Sequence, residues 1–120
     1  MKLTNQIIYT YAEALASAMG DNEIYIPAKA NFFIQKNISL IAAAAQEIEK
    51  SRLEIAKHYG EETEGGYTIP NDKIPTAAKE MEDLFAIEQE IEIRTFKIED
   101  LGDTQFTNTQ MKAIMFMIED

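Results

Sequence analysis

The sequence predicts a mostly helical α+β domain: a long central helix, shorter helices around it, and a small sheet of two or three strands. Three observations carry this. Isoleucines recur every seven residues from Ile34 to Ile55, the period of a helix that buries one stripe. Two further stretches, one toward each end, begin with capping residues and carry apolar side chains at helical spacing. Between them lie short runs that alternate polar and apolar residues, the pattern of half-buried strands. With 120 residues, 46% of them hydrophobic and 27% charged, the chain is expected to form one domain over residues 1–120, with no disordered or fibrous character.

The first helix is predicted over Asn5–Met19. Thr4 is placed as its N-cap, and Leu3 ahead of it staples against Ile8. Ile8, Tyr11, Leu15 and Met19 form its stripe, and Gly20 follows where a left-handed terminating residue belongs. Glu23-Ile24-Tyr25-Ile26 alternates and stops at Pro27, a short strand in need of a partner. The central helix is predicted over Ala28–Tyr59, roughly 45–50 Å at 1.5 Å per residue, longer than a compact domain of this size is wide. Ile34, Ile41, Ile48 and Ile55 make its heptad seam, with Ile38, Ala45, Arg52 and Tyr59 between them. Phe33, Leu40 and Ala44 add a second apolar row in the first half only, so burial should be broad early and narrow later. Arg52 is the anomaly. Either it pairs with an acid, or the seam ends near Ile48 and the remainder projects into solvent. Lys57 and His58 suit the dipole at the helix end, and Gly60 stops it.

Beyond the helix, Glu61-Glu62-Thr63-Glu64-Gly65-Gly66 reads as an acidic loop, and Tyr67–Ile69 as a second short strand before Pro70. A helix over Thr76–Ala86 would bury Met81, Leu84 and Phe85. Glu88-Gln89-Glu90 suits a continuation of that helix, but Ile91, Ile93, Phe96 and Ile98 alternate with polar residues apart from one shift. The reading is a strand over Glu90–Ile98 with a bulge near Thr95. As the longest strand it would take Ile24–Ile26 and Tyr67–Ile69 as neighbours. Leu101-Gly102-Asp103 turns the chain into a last helix over Asn108–Glu119. Thr107 and Gln110 make its capping box, Phe106 and Met111 its staple.

Charge separates the function classes. Residues 1–60 hold six acids against six bases, whereas residues 61–120 hold fifteen against five, so the whole net charge of −10 lies in the second half. Such a surface repels phosphate, which argues against direct nucleic-acid binding and against anionic membranes. It leaves a basic protein partner, or simply a solvated face that keeps the protein soluble. No apolar run approaches the roughly 18–20 residues of a membrane-spanning helix, and the first residues lack the regions of a signal peptide. The absence of cysteine removes disulfides, thiolate metal sites and thiol nucleophiles, and fits a reducing, cytoplasmic location.

Reactive groups are scarce. The single histidine, His58, has Glu54 one turn before it and reads as a helix-terminal charge. Zinc held by two imidazoles and the paired Glu-x-x-His motifs of di-iron bundles are both out of reach. Paired-acid sugar chemistry would want aromatic platforms, and there is no tryptophan. Glu61, Glu62 and Glu64 lack the spaced ligands of a calcium loop, and Gly65-Gly66 has no following Lys-Ser/Thr to cradle a phosphate. The expectation is a protein without enzymatic activity, without a metal and without a cofactor.

Two surfaces stand out instead. Met111, Met115, Phe116 and Met117 make the last helix apolar around much of its circumference, either as core or as a face for self-association or a partner. The isoleucine seam divides likewise between packing within the chain and pairing with a second copy. The other surface is acidic: Glu80, Glu82, Asp83, Glu88, Glu90, Glu92, Glu99, Asp100 and Asp103 would imitate phosphate charge against a basic groove.

Three sequence blocks also carry a resemblance. Tyr25-Ile26-Pro27-Ala28-Lys29-Ala30 precedes a helix of the form Ile48-Glu49-Lys50-x-Arg52-x-Glu54-x-x-Lys57-x-Tyr59-Gly60, and Thr107-x-x-Gln110-Met111-x-x-Ile114 closes the chain. This order resembles the small acidic proteins of tailed phages and prophages of Gram-positive bacteria, a family labelled only as a domain of unknown function. The resemblance implies a phage or prophage origin, residence in the host cytoplasm or association with virions, and no assigned activity. The function expected is protein–protein binding, by self-association or as an accessory in phage assembly. The alternative is an acidic inhibitor, a DNA mimic directed at a host nucleic-acid-binding defence protein.

Overall fold

The computed structural model describes residues 1–19 and 24–119. Its elements are β1 (Lys2–Thr4), α1 (Asn5–Met19), α2 (Ala28–Tyr59), β2 (Glu61–Thr63), β3 (Gly66–Thr68), α3 (Ile74–Ala86), β4 (Glu88–Glu90) and α4 (Asn108–Ile114), with single 3-10 turns at Asn71–Lys73, Ile98–Leu101 and Met115–Met117. This is the expected mostly helical α+β class. The strands form two separate two-stranded antiparallel sheets, β1–β4 and β2–β3.

The first two helices fall where their caps and stripes put them. Thr4 Oγ1 accepts from Ile7 N at 3.2 Å, and Leu3, Ile8, Leu15 and Met19 are buried. The terminating role of Gly20 lies outside the described residues. Along α2 the buried side chains are Ala30, Ile34, Asn37, Ile41, Ala44 and Ile48. The isoleucine row is therefore right as far as Ile48, but its companion row is Asn37 and Ala44. Ile38 and Ala45, the residues expected there, are half-buried. Of the Arg52 alternative the first half holds, since Arg52 pairs with Glu49. The second holds only in that fully buried residues stop at Ile48; the remainder does not project into solvent but is covered by α3, with Ile55 and Tyr59 half-buried. Gly60 ends the helix by sterics. Its φ of −101° is extended, not left-handed, and a Cβ there would lie 2.5 Å from the Ala56 carbonyl oxygen.

α2 is the spine of a rod measuring 55 × 29 × 20 Å, with a radius of gyration of 17.6 Å against about 13–14 Å for a globular chain of this length. α1 runs antiparallel along its middle, where Tyr9 reaches Glu49 and Ala12 and Glu13 lie beside Ala45 and Gln46. α3 runs antiparallel along its last part, where Glu80 lines the same hollow as Ile55 and His58. Both short helices face one long one, nearly end to end. Their junction is made by Asn5, buried to 3% exposure. Its backbone N–H donates to Ile87 O (2.8 Å), its side-chain Nδ2 to Leu84 O (2.9 Å), and its Oδ1 accepts from Gln89 Nε2 (2.7 Å).

The predicted strands fare worse, for identifiable reasons. Ile24–Ile26 is not a strand; Glu23 lies outside the described residues. The carbonyl of Tyr25 accepts instead from Thr104 Oγ1 (3.1 Å), and Ile26 is buried as a single plug. The acidic loop 61–66 is half of a hairpin, with Glu61 paired to Thr68, Glu62 to Tyr67 and Thr63 to Gly66. Gly65, at φ +90°, takes the position where a type II turn requires positive φ. The strand expected over Glu90–Ile98 is only Glu88–Glu90, and its neighbour is β1, with Lys2 opposite Glu90, Leu3 opposite Gln89 and Thr4 opposite Glu88. Past it, Ile93 N folds back onto Ile91 O (2.8 Å), and Arg94 pairs with a side chain in place of a strand. Asn37 Nδ2 donates to Arg94 O and Arg94 N donates to Asn37 Oδ1, both at 2.8 Å. A buried amide with the same donor and acceptor as a peptide group ends the ladder there.

α3 starts at Ile74, two residues ahead of expectation, with Pro75 in its first turn where a missing N–H costs nothing. Met81, Leu84 and Phe85 are half-buried; Ala77 is its one fully buried residue. α4 has the expected capping box, Gln110 N to Thr107 Oγ1 (3.1 Å) and Thr107 N to Gln110 Oε1 (2.9 Å). It ends at Ile114, five residues early. Phe96 N donates to Met117 O (3.0 Å) and Glu119 N to Phe96 O (2.8 Å), so residues 117–119 leave the helix to pair with Phe96.

Replacing Asn37 with leucine keeps the volume and strands the Arg94 N–H and C=O. The expected loss of unfolding free energy is about 1–3 kcal/mol, measured by urea denaturation. Gly60→Ala should also destabilise, because the clash is with backbone; a substitution at the exposed Glu61 is the control.

Candidate functional site

From Ile74 to Gly102 the chain runs antiparallel to α2 over the whole of its length. Three contacts fix the register: Glu80 with the Tyr59 hydroxyl, Arg94 with Asn37, and Asp100 with Lys29 (3.6 Å). Gly102 then packs against Pro27, at the start of the spine. All nine acids singled out from the sequence lie on this strap or one residue past it, against Lys79, Arg94 and Lys97. The strap is thus a line of carboxylates backed by a straight helix.

The acids differ in how freely they face solvent. Asp83 takes an i,i+4 bond from Lys79 (2.8 Å), which raises the lysine pKa. Glu80 bonds the Tyr59 hydroxyl and holds its pKa up. Glu90 accepts from the Met1 ammonium at 2.7 Å, and that bond lowers its own pKa. Asp100, half-buried, caps the following turn by accepting from Lys97 N (3.1 Å). Glu82, Glu88, Glu92, Glu99 and Asp103 are exposed and make no ion pair among the described residues. Glu82 still lies within the electrostatic reach of Lys79, which sets it apart from Glu88, Glu92, Glu99 and Asp103, exposed and in no ion pair among the described residues.

The apolar set is dispersed by the early end of α4. Met117 is fully buried. Phe116 stacks on Tyr11 of α1, rings 4.0 Å apart and 10° from parallel. Met111 is half-buried against the core. Met115 alone of the four is exposed, at 61%. The sequence could not separate these roles, because the helical wheel assumed for residues 115–118 is not the conformation they adopt.

Several open hollows mark the surface: two lie along the strap, one beside Glu90, Glu92 and Arg94 and one beside Lys29, Lys97 and Asp100, and two others flank α2. Ser51, Glu54, Ile55 and His58 of α2 and Glu80 of α3 line one, yet no side-chain hydrogen bond joins Ser51, Glu54 and His58 to one another. His58 instead meets Tyr59 edge to face. Among the described residues no cluster of three or more His, Asp or Glu is placed to hold a metal ion, and no helix is long and apolar enough to cross a membrane. The other hollow lies between α1 and α2, lined by Tyr9, Ala12, Glu13, Ala45, Gln46 and Glu49. Here Glu49 accepts two bonds from Arg52, Nε to Oε2 at 2.9 Å and a second to Oε1, and one from the Tyr9 hydroxyl. The Tyr9 ring also meets Phe85 edge to face at 5.3 Å. Sequence reasoning left Arg52 open and passed over Tyr9 and Glu13; the signal for the pair was the i,i+3 spacing of Glu49 and Arg52.

Compared with protein-family models, with curated proteins and with solved structures, the chain matches none.

Arg52 holds the Glu49 carboxyl below the usual carboxylate range, chiefly through its hydrogen bonds. A depressed folded-state pKa stabilises above the unfolded value and is lost as pH falls through the folded one. Both partners are about a third exposed, so the contribution is a few tenths to about 1 kcal/mol. Glu49→Gln should therefore lower stability more at pH 7 than at pH 3, as measured by urea denaturation at the two pH values.

Proposed function

We propose that the protein is a non-enzymatic binding protein that engages a basic protein partner through the acidic strap. The observation that carries this reading is the succession of nine acids along a helix-backed strap, four of them (Glu88, Glu92, Glu99 and Asp103) exposed and in no ion pair among the described residues. Each unpaired carboxylate on a stiff support adds to a directed negative field, which speeds encounter with a cationic surface and sets its register. A merely solubilising charge would not need to be confined to one segment of the chain. The phage or prophage origin, and with it a role as an assembly accessory, rests on the sequence resemblance. Self-association through the last helix draws less support, since of its four apolar residues only Met115 stands out from the surface.

The strap also favours one particular kind of basic partner. Duplex DNA is about 20 Å across and carries phosphate at regular intervals; the rod is 20 by 29 Å in cross-section, and its acids follow α2 from Tyr59, beside Glu80, to Lys29, beside Asp100. A host nucleic-acid-binding defence protein would meet similar charge in a similar outline. This is the mimic reading, and it specifies the nature of the basic groove.

Both are tested by affinity capture from phage-infected cells with the native protein and with the triple charge reversal Glu88→Lys, Glu90→Lys, Glu92→Lys. The expected result is a partner retained at low salt, released steeply as salt rises, and lost on charge reversal. If that partner is a nuclease or restriction factor, the native protein should displace duplex DNA from it. Retention that ignores both salt and the triple substitution would remove the strap from the interface.

A further inference from the structure

The groove between α1 and α2 lies apart from the strap. Glu49 is twelve residues past Asn37, so at about 100° per residue it sits about 120° round α2 from the side chain that fastens the strap. The hollow measures about 300 Å³, the lower bound for ligand pockets: room for one long side chain, too little for a cofactor. The Ala12 and Ala45 methyls leave its floor open and apolar. The Tyr9 ring forms a wall, fixed at its hydroxyl by Glu49 and along its ring by Phe85. Glu49 is already engaged by Arg52. Glu13 is exposed and makes no ion pair among the described residues, and it shares the lining with the amide of Gln46.

An occupant must match an open, mainly apolar groove lined in part by an exposed carboxylate in no ion pair among the described residues, on a protein of net charge −10. An anion is repelled, and an aliphatic side chain makes no use of Glu13 and Gln46, both exposed. A cation on an apolar stem satisfies both ends. Arginine suits the site better than lysine, because its planar guanidinium packs against aromatic rings and donates in two directions at once, to a carboxylate and to an amide oxygen. We propose that this groove receives an arginine side chain of a protein partner, its stem over Ala12 and Ala45 and its guanidinium toward Glu13 and Gln46. The site stands independently of the strap and of the partner proposed for it.

The test is an NMR titration of the full chain with N-acetyl-arginine amide, with N-acetyl-citrulline amide as the uncharged isostere and free arginine as the metabolite form. Saturable shifts of the Ala12 and Ala45 methyl resonances are expected with the arginine amide and not with citrulline. Glu13→Gln, at an exposed position, should weaken binding about tenfold, the scale of a lost charge-assisted hydrogen bond. Ala45→Leu should abolish it by filling the channel, and the triple reversal at Glu88, Glu90 and Glu92 should leave it unchanged. An equal response to citrulline, shifts that spread along residues 74–103 without saturating, or undiminished binding in both groove variants would overturn the proposal. Tighter binding of free arginine than of the capped amide would overturn the protein-borne occupant and assign the groove to a free guanidinium compound. Failure here leaves the strap untouched, and failure of salt-dependent capture leaves the groove untouched.

Discussion

Two buried asparagines hold the structure together. A rod built on one long helix has little interior, and the apolar residues of its acidic half, such as Ile91, Phe96 and Leu101, are buried without fixing where the segment sits along the axis. Asn5 and Asn37 supply the anchorage by acting as peptide groups supplied from the side. Asn5 ties α1 to the end of α3 and to β4 with three bonds. Asn37 takes both backbone groups of Arg94. Buried amides are costly when unpaired and specific when every valence is met; no buried side-chain polar atom is left without a partner among the described residues. The register of the strap on the spine follows from these bonds more than from hydrophobic contact, which is indifferent to a slide along the axis.

That register explains the rest of the layout. With Arg94 held at Asn37, Ile91 and Phe96 fall on either side of the clip and both are buried. Phe96 then recruits residues 117–119 by backbone pairing, which draws Met117 into the core and shortens α4. The same pairing lays Phe116 against Tyr11, so α1 is closed on one flank by the C-terminal segment. Its other flank stays open beside Ala45 and Glu49. The groove and the line of acids thus have a common origin: the strap and the C-terminal segment cover one side of the helical pair and leave the opposite side bare.

The helices were legible in the sequence because their signals are local. A threonine cap, a staple and a stripe gave α1 to the residue, and a proline at one end and a glycine at the other bounded α2. The strands were only partly legible, because three-residue pairings carry almost no period. The strand expected at Tyr67–Ile69 is displaced by one residue, to Gly66–Thr68, whereas the other alternating runs found mostly non-strand solutions. Ile26 buried alone, Ile93 folded back on Ile91, and Arg94 met a side chain. The most informative residue was visible and overlooked: Asn37 stands three after Ile34 and four before Ile41, a polar side chain on an apolar row, the usual sign of a register-fixing contact. Of the proposed binding surfaces, the acids could be read directly, since charge in an exposed segment stays exposed. The methionines could not, since their fate depended on where α4 stopped, and that was decided by Phe96, some twenty residues away.

The unbroken passage of α2 beneath the joint between α1 and α3 has a mechanical result. The covering layer is jointed while the beam is continuous, so bending stress at that point falls on intrahelical hydrogen bonds, the least compliant part of the assembly. Distances between one tip and the other are then set by residue count along a single screw axis. A deletion of one helical turn from α2 would thus draw the two tips together by about 5.4 Å and carry the covering segments out of step with it.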